Sequence, residues 1–175
     1  MKKFILVRGG STINFKCDNN DIYDSKGILL DDNGQAIYTS EYWNTDYTVN
    51  YKGGILSAGK YYAIISMAKF DYKPDPVKIG RIFRDWRGMD LSKIKSREDI
   101  PDAYWRLPSD VPNPNQNNNK YMDAILLHEG GYRWDYSHGC LTALNYSKDE
   151  TKPIHEFDKF ISNFSLGEII EFELQ

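Results

Sequence analysis

Asp31-Asp32-Asn33-Gly34 lies between two β-prone runs, residues 22–30 and 35–40. Asn-Gly supplies the positive-φ positions that a tight reversal needs, so these four residues predict a β-hairpin. The rest of the first third uses the same grammar. Residues 3–8 form an apolar run closed by Gly9-Gly10, and Gly53-Gly54 precede a turn that feeds a long aromatic and β-branched strand ending near Ile65. No helix of any length is expected here. Thirteen Tyr, 8 Phe and 4 Trp make 14% of the chain aromatic, a composition that favours strands and ligand clefts.

The 175 residues fit one domain, 1–175, with a core of its own. Twenty-two Lys+Arg against 25 Asp+Glu give a net charge of −3, with 41% hydrophobic residues. That excludes a disordered chain and leaves none of the basic excess of a general nucleic-acid binder. No run reaches the ~18 apolar residues of a membrane span. The apolar stretch after Met1-Lys2-Lys3 is too short for a signal peptide. The expectation is a leaderless chain, cytoplasmic as made; acting on a cell wall would require export, or delivery by a secretion system or phage.

Residues 71–120 change character. Lys73-Pro74-Asp75-Pro76, Pro101, Pro108, Pro112, Pro114 and the Asn tract 115–119 break long elements, leaving helical potential only at 90–95 and 98–106. A stretch of this length without regular structure reads as an inserted lid. Tyr72, Phe83, Trp86, Tyr104 and Trp105 argue that it is ordered. Beyond it, a strand at 122–127 delivers His128, residues 153–164 carry apolar positions at helical spacing, and 168–174 alternate as a final strand. The expected fold is mostly β (a β-rich α+β domain) with one or two short helices.

Chemistry concentrates in one short stretch that holds His128, His138 and Cys140. A thiol attacks only as thiolate, so it needs a base or a lowered pKa, and histidine is the usual base. If the segments carrying His128 and Cys140 are neighbouring strands, the loop between them brings imidazole and sulfur together, and backbone N–H groups at Gly139 and Cys140 form an oxyanion hole. Either His128 or His138 could serve as the base. Cys17 reads as a structural thiol. A zinc site lacks any paired ligand spacing.

His128 followed by Ser137-His138-Gly139-Cys140 resembles the active-site signature of the L,D-transpeptidases, the YkuD-like fold. The turn and aromatic strand at 55–64 and the hairpin at Asn33-Gly34 are similar to further landmarks of that family. The resemblance implies a β-sandwich or barrel with a long inserted lid at about 71–120, acting on peptidoglycan stem peptides through a Cys140 thioester. It implies His128 as base, His138 and Ser137 as orienting residues and Gly139 with Cys140 at the oxyanion position. No metal or organic cofactor is implied. Thr142 stands where the family commonly has Arg or Asn at a substrate-carboxylate contact, so Arg133 is the candidate replacement. Trp134 and Tyr136 are candidates to line a peptide groove. The alternative is a non-catalytic glycan- or protein-binding module on the same scaffold in a phage or secretion assembly; an immunity or assembly partner is left open.

Overall fold

The computed structural model describes residues 1–9, 12–17, 20–45, 55–85, 88–113, 119–130, 139–146 and 151–175. The Asn33-Gly34 hairpin forms: β3 (Asn20–Leu30) reverses into β4 (Ala36–Asn44) through a turn in which Asp31 accepts backbone N–H bonds from Asn33 and Gln35. β1 (Lys3–Val7) pairs antiparallel with β3 and parallel with the C-terminal β12 (Ile169–Leu174). This double pairing closes a barrel of eight strands in the order β1-β12-β6-β7-β10-β11-β4-β3, with β2 (Thr12–Cys17) attached to β3. The remaining staves are β6 (Gly59–Ala68), β7 (Val77–Arg84), β10 (Leu126–Glu129) and β11 (Leu141–Ala143). β5 (Ile55–Leu56), β8 (Leu107–Asn113) and β9 (Asn119–Met122) make a separate three-stranded sheet. The mostly β expectation holds, and the architecture is a closed barrel.

Alternation assigns the faces. Phe4, Leu6, Trp43, Tyr61, Ala63, Ile65, Ile82, Leu127, Leu141, Ala143, Ile170, Phe172 and Leu174 belong to one buried cluster, the barrel interior. The helix α1 (Glu156–Ile161) packs against β4, β10 and β11 and adds Phe157 and Phe160 to that cluster. The Phe160 ring lies 4.4 Å from Phe4 and 5.0 Å from Trp43.

The supposed lid is smaller than 71–120. Residues Val77–Arg84 are a central stave of the barrel, and β8 and β9 are paired strands. What remains as a roof is the stretch from Gly88 to Arg106, three short 3₁₀ turns at Leu91–Lys93, Arg97–Asp99 and Asp102–Trp105. It has a core of its own: Ile94 and Ile100 pack with Ile64 and Phe83 on the outer face of β6 and β7, flanked by Tyr62, Tyr104 and Trp105. The expected helical potential at 90–95 and 98–106 is realised only as these turns, each too short to be an α-helix. The expected strand at 122–127 also divides: β9 ends at Met122, and β10 begins at Leu126 after a turn in which Ala124 has φ 53°. No helix among the described residues is long and apolar enough to cross a membrane.

Candidate active site

Leu127 and Leu141 point into the barrel, so by strand alternation Leu126, His128, Cys140 and Thr142 face outward. β10 and β11 are adjacent and parallel, with His128 beside Thr142 and Leu127 beside Leu141. The loop between them is therefore a crossover and not a reversal. It returns Cys140 to the level of Leu126, whose backbone N–H donates to the Cys140 Sγ at 3.4 Å. Continuing the register one residue before β11 puts Cys140 on the same face as His128, two residues away along it. Strand spacing and rise put their α-carbons about 8 Å apart.

Both groups rest uncharged. Burial is the main cause in each case: it pushes the Cys140 thiol up to about 11, against a smaller opposite pull from the Leu126 N–H and the Arg81 charge. The thiol donates to the Ala124 carbonyl at 3.6 Å. Burial lowers His128 to about 4, partly offset by the Glu129 carbonyl, which lies 2.5 Å from Nδ1. That carbonyl can only accept, so Nδ1 carries the proton and Nε2 is left as the basic nitrogen. The Phe70 ring, 5.2 Å from the imidazole, and a Lys73–Glu129 ion pair at 2.6 Å hold the β6–β7 turn over this end of β10. Neither Phe70 nor Lys73 carried any motif in the sequence.

The start of the crossover is fixed by Gly130, whose N–H donates to Ala143 O and whose carbonyl accepts from the Asn145 side chain. Its end is Gly139, buried with φ 118°, a conformation that L side chains rarely adopt, which accounts for glycine before the cysteine. Arg133, Trp134, Tyr136, Ser137 and His138 lie outside the described residues, as do Tyr132 and Trp86. The choice between two bases is thus a choice between a placed His128 and an undescribed His138. Thr142 is fully buried beside His128, and its hydroxyl has no hydrogen-bond partner among the described residues. A direct substrate contact at Thr142 would require this side chain to be uncovered.

Comparison of the chain with protein-family models, curated proteins and solved structures gave no match. The site is therefore read from its own geometry. A cavity of about 280 Å³ opens between Arg81 of β7, the 3₁₀ roof and Ala124, the residue whose carbonyl accepts from the Cys140 thiol. No group of three or more His, Cys, Asp or Glu residues that could hold a metal occurs among the described residues.

Proposed function

We propose that the protein is a cysteine acyl-transfer enzyme acting on peptidoglycan stem peptides, of L,D-transpeptidase or L,D-carboxypeptidase type. The observation that carries this reading is the outward placement of His128 on β10 and of Cys140 immediately before the adjacent parallel β11. The resemblance of His128 and Ser137-His138-Gly139-Cys140 to the family signature supplies the substrate class.

In this reading the resting pair is neutral, so the thiolate is made during attack. Sγ leaves the Ala124 carbonyl by rotation about its own Cα–Cβ bond and turns toward His128. Nε2 takes the thiol proton as sulfur bonds to the substrate carbonyl carbon, and backbone N–H groups near Gly139 hold the oxyanion. Collapse breaks the C–N bond, the imidazolium returns the proton to the departing amine, and a thioester remains. An incoming amine or water, deprotonated by the same nitrogen, attacks that thioester and releases the thiol. Apo geometry looser than a hydrogen bond is common in such pairs. Enzymes of this kind meet their substrate outside the cytoplasm, so the reading carries export or delivery with it.

The test is mass spectrometry after incubation with peptidoglycan tetrapeptides, and with a carbapenem as an acylating probe. The expected outcome is an adduct on Cys140 or a processed peptide, lost in Cys140→Ala and reduced at least 100-fold in His128→Ala. Folded protein giving neither adduct nor product overturns the reading. Two observations favour a second reading, a non-catalytic binding module: His128 bonds to Glu129 O, and the thiol is held in its inert form. That reading predicts unchanged ligand binding in Cys140→Ala.

A further inference from the structure

The cavity walled by Ala124, whose carbonyl holds the Cys140 thiol, has an unusual charge pattern. Arg81, Arg97 and Arg106 face it together with Asp102 and Asp123. Arg81 projects outward from β7, at the register position opposite Leu126, which is itself bonded to the Cys140 sulfur. Its Nε is buried and has no hydrogen-bond partner among the described residues. A buried, unpaired guanidinium N–H is costly and calls for an explanation. Burial is the main cause that disfavours the charge on Arg81, and the like charge of Arg97 adds to it, against a smaller opposite pull that includes Glu98. An anion between the two arginines would remove both penalties.

We infer that this cavity is a carboxylate-binding subsite, in which Arg81, backed by Arg97 and Arg106, clamps a carboxylate of the substrate within reach of the Cys140 sulfur. The inference rests on the acyl-transfer reading for its substrate and on the cavity alone for its chemistry. A carboxylate fits better than a phosphate. Among the lining residues three guanidinium groups against two aspartates leave one net positive charge, matched by a monoanion, whereas a dianion would also crowd Asp102 and Asp123. The planar guanidinium edge pairs with the two oxygens of a carboxylate. None of the three arginines belongs to the Ser-His-Gly-Cys segment, so this contact comes from β7 and the roof and not from Thr142 or Arg133.

Two thiol reagents that differ only in charge provide the test. Iodoacetate and iodoacetamide both form the S–C bond and expel iodide, but only iodoacetate carries a carboxylate. Alkylation of Cys140, located by peptide mass, is expected to favour iodoacetate roughly ten-fold more than N-acetylcysteine does under the same conditions, with saturation and with loss in high salt. Arg81→Met and the exposed Arg97→Gln should bring the ratio back toward that of the free thiol. Arg97 sits on the surface of the roof, so its variant tests the idea even if Arg81→Met fails to fold. As a readout independent of the thiol, the Arg81 Nε–H resonance is followed while N-acetyl-alanine or its amide is added to the full chain. A saturable shift with the acid alone supports the subsite. A ratio equal to that of the free thiol, or equal shifts with acid and amide, or none, overturns it. Anion-dependent alkylation without any acyl adduct would instead sink the enzymatic reading and leave the subsite standing.

Discussion

Phe70 packs against the imidazole of His128. Its ring covers the imidazole at 5.2 Å, and the lowered pKa of His128, about 4, is caused chiefly by burial. Removing the ring admits water to the charged form, so Phe70→Ala should move the His128 titration upward from about 4 toward 6.5. The imidazole proton shifts in NMR spectra across pH 3–8 measure this, and a midpoint that stays put would assign the desolvation to another wall. At this scale the sequence was informative about identity and silent about environment. His128, His138 and Cys140 could be singled out because the chain has only 3 His and 2 Cys. Arg81 could not, since it is one of many basic residues and acquires its role only when Ala124 and a roof residue sixteen positions on, Arg97, close around it.

The elements that were legible are those whose two faces differ. β12 alternates buried and less buried positions, and the β3–β4 hairpin is written in its turn. β7 was hidden because both its faces are covered: Ile82 lies inside the barrel, while Phe83 lies under the roof. A strand buried on both faces loses the period of two, and Lys73-Pro74-Asp75-Pro76 just before it reads as the start of a loop. The parallel pairing of β10 and β11 is a property of the crossover and has no local signal. α1 is shorter than the apolar spacing over 153–164 suggests, because Pro153 bridges to Tyr146 and His155 takes a left-handed conformation before the first turn. β7 and β10 approach closely at Gly80, where an added Cβ would stand 3.1 Å from the Leu127 Cδ1 and 3.2 Å from its Cβ. Gly80→Ala should therefore cost about 1–3 kcal/mol, read as a lowered denaturant midpoint with unchanged slope. No loss of stability would mean that the two strands separate more easily than their packing implies.

At the scale of the whole barrel, the two resting groups of the site set opposite limits on stability. His128 binds its proton less readily folded, at about 4, than unfolded, at 6.5. Its contribution is complete above 6.5 and is lost as pH falls through 4, an upper bound of about 3 kcal/mol. Cys140 behaves conversely: folding raises it from 9.0 to about 11, so its contribution is complete below 9 and is lost as pH rises through 11, at most about 3 kcal/mol. Tyr61, raised by burial to about 12, steepens the same alkaline limb. As far as His128 and Cys140 set it, stability should thus be flat between about pH 6.5 and 9, the range in which imidazole and thiol are both neutral and proton transfer between them needs no prior ionisation. Urea unfolding at intervals from pH 3 to 11 measures the profile. Replacing His128 by Gln removes one titration and should flatten the fall between 6.5 and 4 while leaving the alkaline limb in place. An unchanged acid limb in that variant would show that the imidazole is already solvated in the folded barrel, and the neutral resting pair would no longer describe the site.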